Sequence, residues 1–156
     1  MTHFNAVSRR TAIVALSAFG IAGQNSQAAE PRSITVYKTP SCGCCKNWVT
    51  HLEQGGFKPT IEEFEDLTPI RARFGIPTHL AACHTGFIQG YVIEGHVPAS
   101  DIAQLLKTKP RALGLVVPGM PPGSPGMEVP GGNKEPYNTL LLVDRSGKTR
   151  VFAKHG

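Results

Sequence analysis

Cys42, Cys44 and Cys45 place three thiols within four positions, and a fourth stands alone at Cys83. A Cys-x-x-Cys pair between a strand and a helix is how thiol redox folds present a nucleophilic dithiol. Here Cys44 lies inside that pair, and three crowded thiols suit a soft metal ion as well as disulfide exchange. The flanking residues supply the required setting: the β-rich Ile34-Thr35-Val36-Tyr37 precedes the cysteines and a helical pattern follows. Thiolates within one turn of a helix N-terminus face the positive end of its dipole, which favours ionisation and makes them better nucleophiles and better ligands.

Positioning these groups takes a small α/β domain. A strand is expected at Ile34–Lys38, a turn at Thr39-Pro40-Ser41, and a helix from Cys44 to Gln54 that buries Cys45, Trp48, Val49 and Leu52 and stops at Gly55-Gly56. Moderate alternation from Phe57 to Glu65 predicts a second strand, and Leu67 to Phe74 a short helix. Two apolar strands, Cys83–Ile88 and Tyr91–Glu94, flank Gln89-Gly90 as a hairpin, and a helix capped by Ser100 or Asp101 runs to Leu106. This order, in an α/β chain with a mixed sheet, is that of the thioredoxin and glutaredoxin group. Leu115 to Lys134, with Pro118, Pro121, Pro122, Pro125 and Pro130 among glycines, reads as a long irregular loop. Thr139–Val143 and Thr149–Phe152 predict a C-terminal β-hairpin.

Residues 1–28 read as an export signal: Arg9 and Arg10, the apolar run Ala12–Ala22, then Ser26-Gln27-Ala28 as a small-x-small cleavage site. Ser8-Arg9-Arg10 fits either a Sec or a twin-arginine signal. The run falls short of the roughly 20 apolar residues of a membrane span, so a soluble periplasmic domain, 29–156, is expected, with no membrane attachment after cleavage. Losing the two arginines lowers the formal charge of +5 by two. The remainder shows no Lys/Arg cluster with interleaved aromatics, so nucleic acid is not an expected partner. An oxidising compartment would ordinarily pair four cysteines in two disulfides. Cys44 and Cys45 are neighbours and Cys42 stands close by, so two unstrained bridges are hard to build, which leaves one disulfide or a metal site.

In a glutaredoxin-type fold the strand leading into the Phe87-Ile88-Gln89-Gly90 turn begins beside the active-site pair, so Cys83 is expected to face the other three thiols. Cys83-His84 also stands near the place of the cis-proline in thiol oxidoreductases of this fold, which weighs against docking of a substrate strand of the thioredoxin kind. Four converging thiols select Cu(I) or zinc over hard cations. Met120 and Met127 lie in the Pro/Gly loop, where a methionine has little core to fill, and thioether ligation suits Cu(I) better than zinc. His84 and His96 stand near the same edge as candidate ligands. His51 lies roughly 10 Å along the first helix from Cys44, a more distant candidate. His79 and His155 read as solvated, and Glu94, Glu128 and Asp101 show no paired-carboxylate spacing for acid–base hydrolysis. A dithiol/disulfide enzyme built on Cys42 and Cys45, and a structural zinc site, are the rival readings.

Val-Tyr-Lys-Thr-Pro-Ser-Cys-Gly-Cys-Cys-Lys-Asn-Trp at 36–48, Ala-Cys-His-Thr at 82–85, Gly-Tyr-Val-Ile-Glu-Gly-His-Val-Pro at 90–98 and Pro-Gly-Met-Pro-Pro-Gly-Ser-Pro-Gly-Met-Glu at 118–128 together resemble the CopG-type family of periplasmic metal-binding proteins. That family has long been treated as a domain of unknown function and is linked to copper resistance. The resemblance runs from about Ile34 to Phe152. It implies a thioredoxin-like fold whose Cys42, Cys44, Cys45 and Cys83 hold copper as a small thiolate-bridged cluster, serving sequestration or copper-linked redox turnover. A periplasmic protein that donates or accepts copper is the partner it implies.

Overall fold

The computed structural model describes residues 32–128 and 130–156; the expected signal, 1–28, lies outside them. One mixed sheet of seven strands carries three α-helices: β1 (Ser33–Lys38), α1 (Gly43–Gln54), β2 (Lys58–Glu63), α2 (Thr68–Phe74), β3 (His84–Ile88), β4 (Tyr91–Glu94), α3 (Ala99–Thr108), β5 (Gly114–Val116), β6 (Tyr137–Leu142) and β7 (Thr149–His155). A 3₁₀ turn, Thr78–Leu80, precedes β3. The strands stand in the order β2-β1-β3-β4-β5-β6-β7, with β1/β2 and β4/β5 parallel and the other pairs antiparallel. Among the described residues no helix is long and apolar enough to cross a membrane.

Apolar spacing accounts for most of this. Cys45, Trp48 and Leu52 recur on one face of α1 and are fully buried, Trp48 and Leu52 in one core with Ile34, Val36, Ile93 and Val97, while Ile102 and Leu105 bring α3 into the same core. Trp48 also donates from its indole Nε1 to the Val97 carbonyl at 2.9 Å, so its one polar atom is paired inside the core. The expected β3–β4 hairpin forms. Its central residues Gln89 and Gly90 both take positive φ, which matches the right-handed twist of a two-residue turn.

Three expectations give way. Leu115 and Val116, read as the start of the irregular loop, form β5 together with Gly114; the run is wholly buried between β4 and β6, where a strand covered on both faces needs no alternation. Neither Ser100 nor Asp101 caps α3, whose N-cap is Pro98. The Asp101 carboxylate turns to β6 and β7 instead, accepting from Thr139 Oγ1 at 2.6 Å and lying 2.8 Å from His155 Nε2. His155, expected in solvent, is therefore tied to α3 and stacks on Tyr137.

The Pro/Gly loop is anchored on α1. Gly126 has φ +86°, and a Cβ built there would stand 2.7 Å from the Trp48 backbone nitrogen and 3.0 Å from the Cys44 carbonyl oxygen. Only a residue without a side chain fits so close to the helix backbone, and only glycine takes that φ without strain. Gly126→Ala is expected to cost about 2 kcal/mol or more, from strain and overpacking together, read as a lower urea midpoint at unchanged slope.

Candidate metal centre

The thiols meet where β1 hands over to α1 beside the start of β3. In the antiparallel pairing of β1 with β3, Lys38 stands opposite His84. The chain leaving β1 thus turns into the cysteines next to the chain entering β3. Cys42 is the N-cap of α1, with no side-chain hydrogen bond to the first turn, and Cys44 and Cys45 follow within that turn. All four cysteine sulfurs lie within 4.8 Å of one another. Cys42 and Cys45 are joined as a disulfide, while Cys44 and Cys83 are free, half-buried thiols. The Cys44 sulfur is 3.5 Å from that of Cys42 and 3.6 Å from that of Cys83. Two ligands about 2.3 Å from one metal ion stand no more than about 4.6 Å apart, so both separations fall inside the span of a shared soft ion.

Two imidazoles complete the surroundings of Cys83. His84 Nδ1 is 3.4 Å from its sulfur and His96 Nε2 is 3.1 Å from it, and these three residues form a second group of potential ligands. Each ring is held through its other nitrogen: His84 Nε2–H donates to the Gly95 carbonyl at 3.0 Å, and His96 Nδ1–H donates to the Pro125 carbonyl at 2.8 Å. A carbonyl oxygen only accepts, so the proton of each neutral ring sits on the nitrogen facing away from the sulfur. The nitrogen facing Cys83 carries a lone pair. Metal-binding histidines are oriented in the same way, their second nitrogen tied to an acceptor.

Burial keeps these groups uncharged. His84, fully buried against Trp48 with ring centroids 4.2 Å apart, is pushed down to about 3, chiefly by desolvation and then by His96. Desolvation also lowers His96, against the opposing pull of the Pro125 carbonyl and Glu128. The Cys83 thiol is pushed up to about 12, first by burial and then by its contact with Cys44. Without metal, the Cys83 sulfur thus has two nitrogen lone pairs and the Cys44 sulfur within contact distance. A cation held there would be faced by all of them.

The remaining candidates scatter. Met120 is 52 % exposed and lines a cleft of about 280 Å³ with Ala81, Ala82, Cys83 and Gly119. Met127 is half-buried in a turn that its N–H closes by donating to the Ser124 carbonyl at 2.8 Å. His51 accepts from the Ala99 N–H at 3.0 Å and so joins α1 to α3, outside the sulfur cluster. Sequence reasoning passed over Arg71 and gave Glu94 no role. Glu94 Oε1 accepts from Arg71 Nε at 2.9 Å and from the Ala82 N–H at 2.7 Å, and its Oε2 accepts from Thr85 Oγ1 at 2.6 Å. The signal in the chain is a charged residue ending the apolar strand Tyr91-Val92-Ile93.

A search of solved structures finds two that match across nearly their whole length. They are described as copper resistance protein CopG, form 1 and form 2, each 44 % identical to this chain and covering 81 % of it. The chain spans 98 % and 100 % of those structures, with TM-scores of 0.74 and 0.75. The chain belongs to the CopG family. A family model described as a protein of unknown function, DUF411, matches residues 80–127, the stretch of this CopG-family chain that holds Cys83, His84, His96 and both loop methionines. No curated protein matches.

The buried imidazole carries a pH signature. His84 ionises near 6.5 when unfolded and only near 3 when folded, so the unfolded chain binds the extra proton first. Its contribution to stability is complete above pH 6.5 and is lost as pH falls towards 3, at up to about 1.4 kcal/mol per pH unit. Denaturant titrations of the copper-free protein should show a shallower acid loss over that interval in His84→Gln than in the wild type.

Proposed function

We propose that this CopG-family chain is an exported copper-binding protein of copper resistance, taking Cu(I) on the thiolates of Cys42, Cys44, Cys45 and Cys83. The observation that carries the reading is the gathering of four sulfurs within 4.8 Å beside two imidazoles whose free nitrogens face Cys83. Thiolate, thioether and neutral imidazole form a soft donor set that suits Cu(I). Zinc would also accept four thiolates, but it has no use for a thioether from Met120, which lines the same cleft as Cys83. The two CopG structures at 44 % identity support copper over zinc.

In this reading His84 and His96 complete the site, and Met120, with Met127 from the same loop, serves the entry and exit of copper. His51 supports α3 rather than the metal. The succession β1-α1-β2 followed by the β3–β4 hairpin and α3, with β1 central between β2 and β3, supports a thioredoxin-like ancestry. Residues 1–28 would direct the chain to the periplasm by the Sec or twin-arginine route. There a copper-donating or copper-accepting protein is the expected partner.

The disulfide favours a second, compatible reading. Joined to each other, Cys42 and Cys45 offer no thiolate, so full capacity requires two electrons and two protons to convert that bond into two thiols. Run with copper as the reductant, two Cu(I) ions would give one electron each to the bond and become Cu(II).

Anaerobic titration of the reduced protein with Cu(I), against a competing chelator, separates the readings. Copper binding predicts that Cys42→Ser, Cys44→Ser and Cys83→Ser each weaken Cu(I) by at least about tenfold, and that the oxidised wild type takes up less copper than the reduced. A Cys44→Ser protein that binds copper like the wild type, while Cys42→Ser abolishes disulfide turnover, would contradict the four-thiolate site and leave a thiol oxidoreductase.

A further inference from the structure

Cys83 is the hub of the candidate centre, yet it belongs to no strand or helix. It follows the 3₁₀ turn and an irregular pair, Ala81-Ala82, and stands one residue before β3. On its C-terminal side the backbone is held at once, because the His84 carbonyl accepts from the Gly95 N–H at 3.0 Å. On its N-terminal side Ala81 and Ala82 have no strand partner among the described residues, and a different device takes over.

Both faces of the Ala82 residue are gripped by one ion pair. The Ala82 N–H donates to Glu94 Oε1 at 2.7 Å, and the Ala82 carbonyl accepts from Arg71 Nη2 at 2.5 Å. Arg71 Nε in turn donates to that same Glu94 oxygen at 2.9 Å. Thr85 Oγ1 holds the other carboxylate oxygen, fixing Glu94 from β3. The Glu94 side chain is fully buried and that of Arg71 is 18 % exposed, so the charges are shielded from competing water. The guanidinium fork is what allows one side chain to reach a carboxylate and a carbonyl together.

We propose that Arg71 and Glu94 are positioning residues for Cys83: by clamping the Ala82 residue they hold the Cys83 sulfur at contact distance from Cys44 and His96. The copper reading gives this clamp its functional meaning, but the clamp itself is a statement about one thiol and is testable without metal. Fixing the peptide before Cys83 spares the site the ordering that a free loop would need on each loading. It also links α2 to the geometry of the centre.

The test uses the oxidised, copper-free protein, in which only Cys44 and Cys83 can react, with iodoacetamide labelling of each followed by peptide mass spectrometry. Arg71→Gln is expected to raise the Cys83 labelling rate by about tenfold or more, as the segment opens, with Cys44 changed by less than about twofold. Arg71→Lys, which restores the cation but not the fork, should fall between Arg71→Gln and the wild type. An unchanged Cys83 rate, or equal increases at Cys83 and Cys44, would overturn the clamp in favour of general stabilisation. Should Arg71→Gln fail to fold, Arg71→Lys carries the comparison by the same criterion.

With copper present, Arg71→Gln should weaken Cu(I) in the wild-type background and have no further effect in Cys83→Ser. An equal loss in both backgrounds would mean that Arg71 acts through something other than Cys83. A wild-type protein that takes up no Cu(I) would sink the copper reading, while the labelling result would still decide the clamp.

Discussion

The antiparallel pairing of β1 with β3 is the constraint on which the rest of the site depends. With Lys38 opposite His84, the strand that ends before the cysteines and the strand that begins after Cys83 meet at one end of the sheet. Side chains alternate between faces along a strand, so a slip of one residue would send His84 and its neighbours to the wrong face. The buried set Ile34, Val36, Ile88 and Ile93 penalises such a slip, because it would bring polar residues into the core. The pairing that buries this core therefore also brings together thiols 38 or more residues apart in the chain.

Around that meeting point the structure works by exclusion of charge. Trp48 covers the fully buried His84, and the Pro/Gly loop seals His96 through the Pro125 carbonyl. Desolvation opposes imidazolium at His84 and thiolate at Cys83 alike, so burial favours the neutral form of both. Bringing a monovalent cation into such a place compensates the thiolate that forms when the proton leaves. The loop that contributes the Pro125 carbonyl also carries Met120 and Met127, and the close approach of Gly126 to α1 fixes it over the cysteines. One segment thus orients a histidine and supplies Met120 to the lining of the cleft at Cys83.

Much of this was legible in the chain. The strand before the cysteines, the helix burying Cys45, Trp48 and Leu52, and the Gln89-Gly90 hairpin followed from local periodicity and turn chemistry, which act over a few residues. Cys83 could be brought to the cluster because the hairpin fixes the count back from Phe87. What stayed hidden depends on partners distant in sequence. The protonated nitrogens of His84 and His96 are chosen by the carbonyls of Gly95 and Pro125, and the Arg71 fork by Glu94 and Ala82. Asp101 looked like a helix cap because Thr139 and His155 arrive only with the folded sheet. Leu115 and Val116 looked like loop because the prolines just after them masked a short buried strand.

Copper K-edge X-ray absorption of the reduced protein loaded anaerobically with Cu(I) tests the central claim most directly, since it reads the donor atoms themselves. A four-thiolate copper site gives a Cu(I) edge and nearest-neighbour scattering dominated by sulfur, with the sulfur amplitude reduced in Cys83→Ser. A nearest-neighbour shell made of nitrogen and oxygen alone, or a spectrum that Cys83→Ser leaves unchanged, would contradict it.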